Sequence, residues 1–215
     1  EQISKNRGVL LVTAHLDDAD EYVAMLRDLN VEVELFPVLE SEIAKDIVAS
    51  RLSILEQISL GSFPQVIVAS IPSLMQMSPS PNKIGDVIKR LVVGDSCSLL
   101  DLQHWLVDAG YERRNSIEEN SQFALRGGVL DIATAAGEFV RLDFFGDTIE
   151  TINEVDPISL GSDCLIEEIA IASSSDIPRD ATIIDFIPES CCVILDDVNE
   201  ITQQAKSYFS RVVDS

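Results

Sequence analysis

Residues 110–147, GYERRNSIEENSQFALRGGVLDIATAAGEFVRLDFFGD, set strand-like runs between glycine-marked turns, and their reading decides how the middle of the chain folds. Gly127 and Gly128 are placed to supply the positive φ of a tight connection, with further turns at Ala136-Gly137 and Gly146-Asp147. Between these turns Val140, Leu142 and Phe144 share one face while Arg141 and Asp143 share the other. That period of two is the pattern of an antiparallel sheet with one buried and one wet face.

Upstream of this stretch, Ser98 with Asp101 three residues later forms a capping-box pattern for a helix over 99–109, closed by Gly110. A strand is expected at 86–93 and another at 165–172. Nearer the start, 9–13 is a short apolar run. Leu16, Ala19, Val23 and Leu26 then recur at helical spacing, with Asp17, Asp18 and Asp20 in a first turn where the helix dipole favours anions. Residues 31–36 read as a strand, 43–58 as a second helix and 65–70 as a buried strand, together a parallel α/β layer. The punctuation Ser78-Pro79-Ser80-Pro81-Asn82 draws the first domain boundary, and Ser173-Ser174-Ser175-Asp176-Ile177-Pro178 marks a return. Segments 182–187 and 192–195 and a helix over 199–212 have α/β character again. The expected organisation is an α/β domain begun by 1–82 and completed by 176–215, with a small α+β module, 83–175, inserted and built on an antiparallel sheet.

At 215 residues and 46% hydrophobic content the chain can bury one or two cores. No apolar run nears the roughly 18 residues of a membrane span. No cationic leader precedes an apolar stretch, so no secretion signal is expected, and the start Glu1-Gln2-Ile3-Ser4 without methionine is what an excised fragment would show. Cys97, Cys164, Cys191 and Cys192 lack C-x-x-C spacing, and His15 and His104 stand apart from them, which favours reduced thiols over a metal site or disulfide framework. The formal charge of −22 repels phosphates and argues against nonspecific nucleic-acid binding. Within 98–170 the basic residues Arg113, Arg114, Arg126 and Arg141 all fall between 113 and 141, giving an acidic module a local arginine cluster.

Three segments carry a family resemblance. Gly110-Tyr111-Glu112-Arg113, then Phe123-Ala124-Leu125-Arg126-Gly127-Gly128-Val129-Leu130-Asp131-Ile132, then Arg141-Leu142-Asp143-Phe144-Phe145-Gly146-Asp147-Thr148-Ile149-Glu150 resemble the partner-docking module shared by bacterial transcription-repair coupling factors (Mfd) and the excision-repair protein UvrB. The coupling factors fit better, since the UvrB pattern has a second arginine where this chain has Ala124. Residues 8–13, 35–37 and 66–70 are similar to the first domain of the coupling factor's N-terminal UvrB-homology region. The resemblance implies a degenerate helicase-type, P-loop-derived α/β domain carrying a module that docks the damage sensor UvrA. It implies no catalysis by this segment, no cofactor, no membrane or nucleic-acid contact, and a place in the bacterial cytoplasm. The motor and polymerase-binding domains of such a parent protein are not in this sequence.

Residue by residue, Arg113 and Arg126 match arginines that the family uses to engage UvrA, Phe123 matches an aromatic position, and Gly127 belongs to the same Arg-Gly-Gly run. Phe123 alternates with Leu125 and reads equally as core. Surface salt bridges worth under about 1 kcal/mol each are the alternative role for the arginines. Arginine's forked donors and its frequency at interface hot spots suit a docking role. One departure stands out: the family continues Leu-Asp-Ile-Phe-Pro, and this chain has Leu130-Asp131-Ile132-Ala133-Thr134.

No G-x-x-x-x-G-K-[ST] loop occurs, and Asp196-Asp197, with Asn199 two residues on, stands where a helicase relative carries Asp-Glu-x-His. Aspartate is one methylene shorter than the glutamate that activates water. Two aspartates at a strand end also read as a helix N-cap. Trp105 follows core spacing, and Glu118 and Glu119 read as an exposed loop. A fragment of a UvrB-type loading helicase, and a structural or autoinhibitory lobe, remain open beside the UvrA-docking reading.

Overall fold

The computed structural model describes residues 8–39, 44–156, 162–175 and 177–213. The protein is mixed α/β, with parallel and antiparallel sheets in two compact units, one of Glu1–Ile84 with Pro178–Ser215, the other Gly85–Ile177. Among the described residues no helix is long and apolar enough to cross a membrane.

In the first unit, strands β1 (Val9–Thr13), β2 (Val33–Phe36), β3 (Val66–Ser70) and β12 (Cys192–Leu195) form a parallel sheet in the order β12-β1-β3-β2. The uninterrupted apolar runs of β1 and β3 suit strands covered on both faces, and Leu10, Ile67, Val68 and Ala69 are fully buried. Helix α1 (Leu16–Asp28) buries Ala19 and Val23 against Val33 and Val68. Helix α2 (Lys45–Ser59) begins after residue 43, which lies outside the described residues. Its Arg51 is 4% exposed and has a cation's hydrogen bonds but no carboxylate partner among the described residues: Nη1 donates to Pro37 O at 2.6 Å and Nη2 to Ser78 Oγ at 3.2 Å, with the guanidinium 4.1 Å over the Phe36 ring. Burial lowers its pKa to about 10, so it stays charged at neutral pH. Residues 182–187 hold a 3-10 turn, Ile183–Phe186, closed by the reciprocal Thr182 and Asp185 capping box. Helix α6 (Val198–Val213) follows β12.

The second unit is built on six strands in the order β10-β9-β8-β7-β6-β5: β5 (Glu112–Arg113), β6 (Gln122–Arg126), β7 (Val129–Ala133), β8 (Phe139–Phe145), β9 (Thr148–Val155) and β10 (Ser162–Ile166). All pairs are antiparallel except β5 with β6, which run parallel. One face of the sheet carries Phe123, Leu130, Ile132, Val140, Leu142 and Ile152, all buried. Helix α5 (Leu99–Asp108) buries Leu102 and Leu106, and its Ser98 cap accepts from Asp101 N at 3.3 Å. Trp105 is half-buried.

Two expectations are corrected here. Residues 86–93 divide into a helical turn, α4 (Ile84–Val87), and the strand β4 (Ile88–Val92), because Ile84, Val87, Ile88 and Leu91 satisfy helical spacing as well as strand burial. Residues 165–172 are not one strand: β10 ends at Ile166, and β11 (Glu168–Ala172) pairs instead with β4 in a separate two-stranded sheet. Tyr111 ties these parts together. Its hydroxyl donates to Ala172 O at 2.9 Å and accepts from Ala135 N at 3.0 Å, and burial pushes its pKa up to about 12.

Candidate partner-docking site

The turn after β6 is tighter than its sequence suggests. Gly127 alone takes a positive φ, +62°; Gly128 does not, and is glycine because a Cβ there would stand 2.8 Å from the backbone oxygen of Phe144. The β6–β7 turn therefore lies directly against the end of β8, where Phe144 N donates to Gly128 O at 2.8 Å. Arg126, the last residue of β6, is exposed, and its Nη2 donates to Asn115 O at 3.0 Å, holding the β5–β6 loop to the turn. That loop is fixed from beneath as well. Ile117 is buried with Ala124 and Ala133, backed by Phe139, while Gln122 Oε1 accepts from Glu118 N and Glu119 N at 2.9 and 3.2 Å.

The four clustered arginines have separate fates. Arg141 forks onto Asp131, Nε to Oδ1 at 2.6 Å and Nη2 to Oδ2 at 3.2 Å, and that hydrogen bond raises its pKa. Arg114 pairs with Glu112 at 2.8 Å on the surface. Arg126 makes no ion pair among the described residues, and Arg113 has neither an ion pair nor a side-chain hydrogen bond among them. Pleat alternation with the parallel β5–β6 register sets Arg113 on the side of Phe123, and Arg126 on the side of Gln122 and Ala124. The two arginines thus flank the β5–β6 border of the sheet from opposite faces. Arg114, Asn115, Ser116, Glu118, Glu119 and Gln122 line a shallow depression of about 290 Å³.

Phe123, expected among the partner-contacting residues, has no exposed surface. It pairs across to Ile132 in the apolar face, so it supports the strand that presents Arg126 and touches no partner in this conformation. Ala133 is also fully buried. Ala133 packs there with Ile117, Ala124 and Phe139.

The sequence model of the family described as UvrB interaction domain matches residues 90–176, from within β4 to just past β11. Residues 90–176 belong to the UvrB interaction domain family. The transcription-repair-coupling factor of Bacillus subtilis is 31% identical over 159 residues, 68% of this chain and 13% of the relative. That of Staphylococcus aureus strain RF122 is 26% identical over 179 residues, 80% of this chain and 15% of the relative. UvrABC system protein B of Helicobacter hepaticus is 33% identical over 127 residues, 58% of this chain and 19% of the relative. The chain is thus a homologue of transcription-repair-coupling factors with UvrB homology, and spans less than a fifth of the length of these relatives.

Within the interaction domain, sequence reasoning passed over Phe145. It is 76% exposed, the most exposed large hydrophobic side chain among the described residues. Outside the domain, at the ends of β1 and β12, acids gather. Asp18, Glu21, Tyr22, Met25 and Asp196 line a depression of about 390 Å³. Asp197 caps α6, its Oδ1 accepting from Asn199 N at 3.1 Å and Glu200 N at 3.2 Å. His15, at the start of α1, bonds Glu200 Oε1 through Nε2 at 2.8 Å, and that contact raises its pKa. Among the described residues no cluster of three His, Cys, Asp or Glu could hold a metal ion.

Proposed function

We propose that this chain is a non-catalytic interaction fragment of a transcription-repair coupling factor, whose UvrB interaction domain docks UvrA and so brings excision repair to a stalled RNA polymerase in the bacterial cytoplasm. The observation that carries the reading is Arg126, exposed on a rigid turn, free of ion pairs among the described residues and set in the family's Arg-Gly-Gly run. Arg113 stands across the same border of the sheet. A partner that straddles this border reaches both guanidinium groups with carboxylates, and each fork can bind a carboxylate through two parallel hydrogen bonds. Gly127 keeps the turn low enough for that approach. The parallel unit reads as a degenerate helicase-type domain interrupted by the module, supported by its sheet order and by an Asp196-Asp197 pair at the end of β12.

Replacing Arg113 or Arg126 by alanine is expected to weaken UvrA binding by roughly 1 to 3 kcal/mol, because truncation strands a carboxylate of the partner partly desolvated. Lysine should restore little, since a single ammonium lacks the planar fork. Titration calorimetry with UvrA decides it, with Arg179→Ala, outside residues 90–176, as the control. Equal affinity for the wild type and a folded Arg113→Ala, Arg126→Ala double variant would leave a structural lobe as the better reading. The match to UvrABC system protein B favours a second reading, a fragment of a UvrB-type loading helicase.

A further inference from the structure

We infer that Phe145 is a second binding anchor beside Arg126, a side chain that inserts into an apolar pocket of the docked partner. The inference rests on the UvrA-docking reading and adds to it the chemistry of the partner's surface, an apolar pocket next to a carboxylate.

Strand alternation exposes the ring, on the side of Arg141 and Asp143. β8 and β9 pair Asp143 with Thr151 but Phe144 with Ile149, so the register slips between Asp143 and Phe144. The extra residue, Glu150, belongs to β9, so the in-out alternation of β8 runs unbroken through Phe144 and Phe145. Phe144 stays half-buried and Phe145 is turned out to solvent. The hairpin tip that carries it is not loose. Gly94 N donates to Ile149 O at 2.8 Å, Ile149 N to Asp95 O at 3.1 Å and Cys97 N to Asp147 O at 2.6 Å, which fastens the β9 side of the tip to residues 94–97. On the β8 side, Phe144 N bonds Gly128 O, and Gly128 has no room for a Cβ against Phe144 O. The backbone of the Arg126 turn and the backbone carrying Phe145 are therefore locked together.

An aromatic ring displayed on a pre-organised turn loses little conformational freedom on binding and buries a large apolar area. Hot spots favour this pairing of an aromatic with an arginine. The ring contributes nothing visible to the unit's own core. Its exposure is a standing solvation cost that docking would relieve.

The test uses the whole 215-residue chain titrated with UvrA. Phe145→Ala is expected to lower affinity about 10- to 100-fold, while the melting temperature stays at the wild-type value because an exposed side chain is removed. Phe145→Leu should recover part of the loss. If Phe145→Ala binds within twofold of wild type while Arg126→Ala is weakened, the anchor is refuted and the docking reading stands. A drop in melting temperature for Phe145→Ala would assign the ring to packing and equally refute it. Failure of the wild-type chain to bind UvrA removes the docking reading itself, and this inference with it.

Discussion

Gly127 and Gly128 look alike in the sequence and differ in what they do. A side chain at 127 meets open space, and its only penalty is the left-handed backbone at φ +62°, which asparagine tolerates. A side chain at 128 meets the Phe144 carbonyl, a backbone atom that cannot swing away. Gly127→Asn is therefore expected to leave stability within about 1 kcal/mol of wild type, whereas Gly128→Asn or Gly128→Ala should cost roughly 1 to 3 kcal/mol by overpacking. Urea denaturation of the three variants measures the contrast, and equal losses at both positions would contradict it. Glycine pairs announce a turn, and only the neighbouring strand decides which member needs the missing Cβ. Phe123 makes the same point from the other side: its alternation with Leu125 already pointed inward, and family position alone suggested a surface role.

At the scale of elements, the unit of residues 85–177 is joined through Tyr111, whose hydroxyl links the end of β11 to the turn after β7. Burial raises its pKa from an ordinary value of 10 to about 12. A group protonated more firmly in the folded state contributes stability that is complete below the unfolded pKa and is lost as pH climbs through the folded one. Stability should therefore fall from about pH 10 upward, and fall less steeply in Tyr111→Phe. Near neutral pH the variant should be weaker by about 1 to 2 kcal/mol, with one buried N–H and one carbonyl left unpaired. Thermal melts across that pH range check both; parallel curves for the two proteins would refute the assignment. Tyr111 was legible only as part of a motif, since neither of its partners is near it in sequence. The parallel strands β1 and β3, the amphipathic α1 and the capped α5 could be read because local pattern and final burial agree. Where pattern serves two outcomes, as at Ile84 to Leu91, or where a strand changes sheets at Glu167, sequence carries no mark of the choice. The outward side of Phe145, by contrast, follows from plain alternation with Arg141 and Asp143. Arg113 and Arg126 looked like one cluster until the parallel pairing of β5 with β6 set them on opposite faces.

Over the whole molecule, charge and topology together bear on nucleotide. In a parallel sheet, anionic ligands seat beyond the carboxyl ends of the strands, at helix N-termini with free N–H groups. Here β1 passes into α1 through Ala14 and His15 alone, and the first turn of α1 carries Asp17 and Asp18. The neighbouring strand ends in Asp196 and Asp197, and the second of these is engaged in capping α6. Each of these carboxylates repels a polyphosphate, the chain has no Gly-Lys pair to cradle one, and the net charge of −22 adds the same sign at longer range. Titration of the chain with Mg-ATP is therefore expected to give no binding heat, at low salt as well as at physiological salt. Low salt is the sharper condition, because screening is weakest there and repulsion greatest. Stoichiometric heat with micromolar affinity would show that a phosphate site has been assembled from elements the strand ends do not display, and the non-catalytic reading of the parallel unit would have to be withdrawn.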